Sequence, residues 1–413
     1  MIPTLLLAAV LAQALGAEAS AKAAPTGYLS VFVDHLPNRD ATELRARGFV
    51  EERTDFGSHL RVAASAFVEA LAADRRGSVT AATAEPQELN VTFRTRRLDV
   101  TAGLARVVWG RLDELQPTDV VNPLDLSRFF FEGRSEARLS VPLVRATMYG
   151  GDSVSIEGVY VPFFRRGRFD RLDEPSSPFN IAPAVPFTDR APSRTAANAQ
   201  GGARVNLTTG RVDWSVTAYR GFRTFGMYSA VSPTDVDRVY PRFTLIGGDL
   251  EVVAGPWVVR GETAAFVRDS FQAEAAPVVL TGQSFDGGIG LDRKAGSYRV
   301  SGQVLVHHET YDSLPEAVTA LRLVGRSFSG GRTDVSLIAS TDRSFARQKY
   351  ETRLFAVYDP NHGSAFLRAI ATAKLRDQVG IEGSLGWFSG SGPDAIGRFS
   401  DSDFLYVRLK YFF

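Results

Sequence analysis

Polar and apolar residues alternate with a period of two over most of this chain. Val212, Trp214, Val216 and Ala218 oppose Arg211, Asp213, Ser215 and Thr217, and Tyr298, Val300, Gly302, Val304 and Val306 oppose Arg299, Ser301 and Gln303. Ile381, Gly383, Leu385 and Trp387 oppose Glu382 and Ser384 in the same way. Successive side chains of a strand point to opposite faces, so each run reads as a strand with one apolar and one polar face. Turn signals place strands near 43–55, 59–73, 87–95, 98–108, 138–149, 152–162, 203–209, 212–222, 243–254 and 257–269. Others fall near 282–292, 297–309, 318–327, 332–341, 347–358, 364–375, 378–388 and 402–413, with 74–86 as a connection. Most approach the ~9–11 residues of a tilted membrane strand. The pattern predicts an all-β fold, a transmembrane antiparallel β-barrel of about 18 strands, an even number within about 14 to 18. A soluble sandwich alternates too, so the number and length of the strands carry the argument together with the two ends of the chain.

The last strand puts Leu405, Val407, Leu409, Tyr411 and Phe413 on one face, opposite Arg408 and Lys410 with Tyr406 and Phe412. A soluble chain seldom leaves such a segment as a frayed end. It resembles the C-terminal signal of bacterial outer-membrane barrels, whose last strand ends in Phe and is read by the barrel-assembly machinery. Leu409, Tyr411 and Phe413 are the expected signal residues. At the other end, Leu5 to Ala12 is apolar and Ala17-Glu18-Ala19 suits signal-peptidase cleavage, so residues 1–19, extending to about 23, read as a signal peptide. That stretch falls short of the ~20 apolar residues of a membrane helix. Export to an outer membrane is expected, with outer-membrane lipids, lipopolysaccharide and the assembly machinery as partners.

Mean hydropathy is −0.07, because half of each barrel strand faces lipid and half a polar lumen. The absence of cysteine removes disulfides, lipoprotein acylation and thiolate chemistry. A net charge of +1 argues against nucleic acid as a ligand. Of 47 basic residues only five are lysine; base composition of the genome accounts for such a bias, and arginine also suits a lumen that holds carboxylates.

Residues 24–42 read as an N-terminal tail or an extra strand at Tyr28 to Val33, followed by a barrel over 43–413 with long loops at 109–137 and 163–202. Five prolines with Arg165, Arg166, Arg168 and Arg171 make 163–202 an ordered extended loop. Counting back from a periplasmic C-terminus puts the turns Gly150-Gly151, Thr209-Gly210 and Gly255-Pro256 outside the cell and the long loops inside, against the short-turn rule. Either one strand is miscounted or long inner segments fold into the lumen. Tyr28, Trp109, Tyr160, Trp214, Trp257, Tyr358, Trp387 and Tyr411 are candidates for two interfacial girdles.

The run Trp109-Gly110-Arg111-Leu112-Asp113, then Gln116-Pro117-Thr118-Asp119-Val120-Val121-Asn122-Pro123-Leu124-Asp125, combines a glycine exit from a strand with two prolines and several local hydrogen-bonding side chains. It is a rigid, shaped loop. Trp109, Arg111, Asp113, Asp119, Asn122 and Asp125 are the candidate residues of either a pore constriction or a self-satisfied cap. The run resembles the hallmark of an uncharacterised family of Gram-negative outer-membrane, porin-like proteins. Val141-Pro142 with Arg145-Ala146-Thr147, Ser155 to Val159 into Val161-Pro162-Phe163-Phe164, Asp213-Trp214-Ser215 into Tyr219-Arg220-Gly221, and Tyr240-Pro241-Arg242 with Gly247-Gly248-Asp249 and Arg260-Gly261-Glu262 extend the likeness over 43–413. The resemblance implies one barrel and supplies no substrate and no catalytic residue. Arg111 stands where an acidic or polar residue is expected of that family.

A barrel hydrolase would need a nucleophile, base and orienting group converging. Among His35, His59, His307, His308 and His362, the pair His307 and His308 point to opposite faces, and His307 shares a face with Glu309. The nearest approach to a nucleophile elbow, Gly282-Gln283-Ser284-Phe285, has Asp286 where the last glycine belongs. No catalytic, cofactor or metal residue is assigned and no enzyme activity is expected. The expected function is a porin-like channel for passive or facilitated diffusion of a small solute, narrowed or capped by 109–137; the alternatives are a plugged scaffold barrel and, behind it, the hydrolase.

Overall fold

The computed structural model describes residues 25–413 apart from 76, 274–276, 313–329 and 393. Its strands are β1 (Thr26–Leu36), β2 (Ala41–Phe56), β3 (Leu60–Asp74), β4 (Ser78–Arg94), β5 (Leu98–Ala105) and β6 (Val141–Tyr149). There follow β7 (Val154–Val161), β8 (Gln200–Thr209), β9 (Val212–Phe222), β10 (Arg242–Ala254), β11 (Trp257–Gln272) and β12 (Val279–Ala295). The last six are β13 (Tyr298–Tyr311), β14 (Gly331–Phe345), β15 (Tyr350–Asp359), β16 (Ser364–Arg376), β17 (Val379–Ser389) and β18 (Phe404–Phe412). Each pairs antiparallel with its sequence neighbours, and β1 pairs with both β2 and β18. The 18-stranded sheet is therefore a closed barrel, with Gly27 and Phe413 exchanging N–H···O bonds of 3.0 and 3.1 Å at the seam. Closure leaves no edge to hydrogen-bond elsewhere.

Side chains alternate as the sequence pattern requires. On β18, Leu405, Val407 and Leu409 are about half exposed, at 54, 52 and 50%, while Tyr406 and Arg408 between them are 1 and 3%. Outward residues on the other strands are likewise large and apolar: Leu29, Val31 and Val33 on β1, Val300 and Val304 on β13. Tyr160, Tyr358 and Trp387 face out at one end of the barrel, and Trp214, Trp257 and Tyr411 at the other. Tyr28 and Trp109 do not join these girdles. Tyr28 turns inward onto Phe49 and Phe67, and Trp109 is buried inside, because each lies on the lumenal side of its backbone.

Three differences from the sequence reading stand out, and the first two together have one consequence. Residues 26–36 are a barrel strand, so the barrel starts before residue 43. The strand expected at 318–327 lies outside the described residues, and β13 pairs directly with β14 across it. Residues 78–86 belong to β4 rather than to a connection; Pro86, which cannot donate to a ladder, sits at a register shift between Ser65 and Ala66 of β3, where a bulge tolerates it. The count stays at 18, but the parity of every strand before β14 reverses. All connections at the end bearing both chain ends then have two to four residues, and 106–140, 162–199 and 223–241 leave from the opposite end. The conflict over loop sides disappears. Gly255, at φ 61°, supplies the left-handed position of one two-residue turn.

The long loops enter the lumen, where they form its core. The first carries α1 (Leu126–Glu132) and α2 (Arg134–Ala137). One cluster packs Trp109 and Val121 on Val141, Leu143, Val161, Tyr219 and Leu245. The second is aromatic, with Phe130 and Phe131 of α1 and Phe179 of the next loop against Phe366, Phe388, Phe404 and Tyr406 of the wall. Three short strands, Thr188–Arg190, Met227–Ala230 and Val236–Val239, form a separate small sheet among the loops.

Candidate functional site

Among the groups that fasten the loop 106–140 to the wall, one carboxylate takes four hydrogen bonds. Glu262 of β11, 2% exposed, accepts hydrogen bonds from the backbone N–H of Arg111 (2.9 Å), Leu112 (3.2 Å) and Thr118 (2.7 Å), and from the Thr118 hydroxyl (2.7 Å). Gly110 makes this approach possible: its φ is 91°, and a Cβ there would stand 2.5 Å from the Glu262 carboxylate. Trp109 donates its indole N–H to Glu157 of β7 at 2.7 Å. Asn122 accepts from the Val107 N–H at 2.7 Å and donates to the Leu139 carbonyl at 2.7 Å, joining the two ends of the loop. Asp119 pairs with Arg134 and Arg138 at 3.0 and 2.7 Å. Asp125 caps α1 through Ser127 and Arg128 and takes Arg168 of the next loop at 2.9 Å.

Four of the six sequence-derived candidates, Trp109, Asp119, Asn122 and Asp125, are therefore buried fastenings. Arg111 reaches Asp249 at 2.8 Å, and Asp113 meets Arg260 and Arg299 at 3.2 and 3.1 Å, so these two stay nearer the open lumen. The segment next to them matters more. Glu114 pairs with Arg353 of β15, and Gln303 of β13 donates to the Leu115 carbonyl at 3.0 Å. Burial raises the Glu114 carboxyl above its ordinary value, against the opposing pull of Arg353.

The other half of the lumen is held by arginine clusters. Burial alone would raise Glu132 of α1, but Arg128, Arg47 and Arg408 around it keep it well below the usual carboxylate range. Asp170 lies between Arg45 at 2.7 Å and Arg75 at 2.9 Å. Arg171 reaches Glu69 at 2.8 Å, Arg168 reaches Glu85 at 2.8 Å, and Arg165 also pairs with Glu85. The arginine-rich segment of the second loop is thus docked on acidic residues of β3 and β4.

Among the cavities left by these loops, two adjoin each other. The outer one, about 370 Å³, is mostly apolar, with Leu115, Leu126, Ile181, Phe225 and Ile396 in its lining. The inner one, about 440 Å³, is lined by Arg106, Arg134, Arg368, Arg408 and Lys410 together with Glu51, Glu132 and Glu382. Glu114, Phe129, Phe130, Phe355 and Phe366 line both. These five residues form a neck between them. Of the neck, only Glu114 falls within the span 109–125, between the two parts quoted from the sequence; the aromatics come from α1, β15 and β16, and nothing in local spacing joins them.

The hydrolase constellation is not assembled at its nearest candidates. Ser284 donates to Asp269 at 2.7 Å, while His307 lies 2.5 Å from Asp286 and 3.7 Å from Glu309. At the outer rim, Asp359, His362 and Asp394 bring potential ligand atoms within 4.8 Å of one another, and His362 Nδ1 is 2.9 Å from Asp359. This grouping joins two connections far apart in sequence.

These features define a closed antiparallel barrel with loops folded into its lumen. No family model matches the chain and no curated protein matches it, so the family likeness read from Trp109 to Asp125 stays a resemblance. Solved structures do match. OccAB4 of Acinetobacter baumannii aligns over 94% of this chain and 97% of its own, with a TM-score of 0.53 and 9% identity. OccK5 (OpdH) of Pseudomonas aeruginosa aligns over 94% and 96%, at 0.52 and 9%, and the outer membrane protein OpdK of the same organism over 94% and 98%, at 0.53 and 8%. At such identities the likeness is one of fold.

Proposed function

We propose that this chain is a porin-like channel of a Gram-negative outer membrane, passing a small solute by diffusion through the neck between the two cavities. The observation that carries the reading is that neck: two cavities within one closed barrel share five lining residues, an arrangement that supports a path narrowing between them. The outward apolar belt and the two aromatic girdles support a membrane setting. In this reading residues 1–19 direct export, and the assembly machinery recognises Leu409, Tyr411 and Phe413. Six cationic side chains line the inner cavity against five carboxylates, a slight excess that supports an anionic solute. Two solved structures of similar fold hold carboxylates, P. aeruginosa OccK2 (OpdF) with glucuronate and OpdK with vanillate. Small organic carboxylates are therefore the solute class we assign. A second reading, a plugged scaffold barrel, draws on the aromatic cluster and arginine clusters that fill the rest of the lumen.

Conductance of the refolded barrel in planar bilayers separates the two. Discrete steps that enlarge when 111–125 is deleted are expected of the channel. Silence from both proteins would favour the scaffold.

A further inference from the structure

Arginines in this lumen differ in exposure. Arg45, Arg47, Arg75 and Arg171 are buried and each meets at least two carboxylates, so no passing solute reaches them. Arg353 differs. Its side chain is 39% exposed toward the inner cavity beside the neck, and it pairs with Glu114 of the inner loop and, at 3.6 Å, with Asp342. Glu114 is itself 23% exposed, and the loop beneath it is tied to Gln303, so its carboxylate is presented to the path from a fixed backbone. Below the neck, Arg368 donates to the Ser384 hydroxyl, the Tyr406 hydroxyl and the Phe131 carbonyl, with no carboxylate within ion-pair distance among the described residues. Lys410 lies 5.4 Å from the Tyr28 ring and likewise has no carboxylate at that distance.

A carboxylate that leaves water for the apolar outer cavity loses hydration and needs a cation at the neck. Arg353, on the inner-cavity side of the neck, already holds a carboxylate. We propose that Glu114 is a tethered competitor: it occupies Arg353 when no solute is present, and an organic carboxylate passes the neck by exchanging with it before moving into the inner cavity toward Lys410. The exchange conserves the charge on Arg353 at every stage, so the guanidinium is never left bare in a partly dry site. Glu114 thereby sets how strongly the neck retains an anion. A half-exposed pair suits this role, since it is weak enough to be broken by a ligand of the same chemistry.

The inference rests on the channel reading, and one set of recordings tests the two separately. Wild type, E114Q, R353Q and the double variant are refolded, checked for heat-modifiable migration, and recorded in a potassium chloride gradient with benzoate as probe. E114Q is expected to shift the reversal potential toward chloride and to lengthen benzoate block events roughly two- to fivefold, the worth of one half-exposed ion pair. R353Q is expected to shift selectivity toward potassium and shorten the events. In the double variant the gain from E114Q on block duration should vanish, because there is no longer a guanidinium to compete for. If that gain persists without Arg353, Glu114 acts only through its field and the exchange is refuted, as it also is if conducting E114Q channels block like wild type. A wild type that does not conduct overturns the channel reading and the exchange with it.

Discussion

Glu262 offers the sharpest test of how the inner loop is held. Its carboxylate accepts four hydrogen bonds at 2.7–3.2 Å from a site that is 2% exposed. Each such bond contributes about 1 kcal/mol net, so E262A removes about 4 kcal/mol from the docking of 109–122, less whatever water recovers. E262Q keeps one carbonyl oxygen and replaces the other acceptor with a donor, so about half is lost. On the scale of 1.4 kcal/mol per decade, the full loss raises local opening by roughly a thousandfold and the half loss by roughly thirtyfold. Native-state hydrogen exchange at the Arg111, Leu112 and Thr118 amides reads this directly. The three should accelerate together and in that order of variants, while amides of β14–β16 keep their protection. Unchanged exchange in E262A would show that the prolines and the Trp109 cluster suffice, and the clamp argument would fail.

Three further outcomes follow from the same geometry. G110A forces a side chain into φ 91° and sets its Cβ against Glu262, so it should reproduce the exchange pattern of E262Q at a cost of about 1–2 kcal/mol for the backbone alone. F130A empties the centre of the aromatic cluster, where Phe130 stacks on Phe179 at 4.9 Å; a buried Phe→Ala change costs about 3–5 kcal/mol locally, so the neck should widen and conductance rise while the barrel keeps its heat-modifiable migration. Glu132 and Asp170 are both held below the ordinary carboxylate range by surrounding arginines, so the stability they contribute is present above the unfolded-state values of about 4 and is lost only as pH falls through the lower folded values. Limited proteolysis of the loops should stay flat from neutral pH to about that range and increase only in stronger acid; cleavage rising already near neutrality would refute the assignment.

What the sequence determined was periodic. Alternation is local, set by successive side chains pointing to opposite faces, and it located 17 of the strands in the structure to within a few residues except at β4. Leu405, Val407 and Leu409 were legible as an outward face for that reason. Residues 78–86, read as a connection, extend β4 because a bulge at Gln87 lets Pro86 stand in the ladder, and β1 was ambiguous because its pairing with β18 joins the two ends of the chain. The loop 109–125 was recognisable as rigid from its glycine and prolines, yet its residues could not be sorted into fastenings and lining. That division depends on Glu157, Asp249, Glu262, Gln303 and Arg353, which approach the loop from across the barrel. The neck is the extreme case. Phe129 and Phe130 carry no signal beyond an apolar helical turn, and Phe355 and Phe366 look like ordinary inward strand positions, so only closure of the sheet and folding of the loops into it bring them around Glu114.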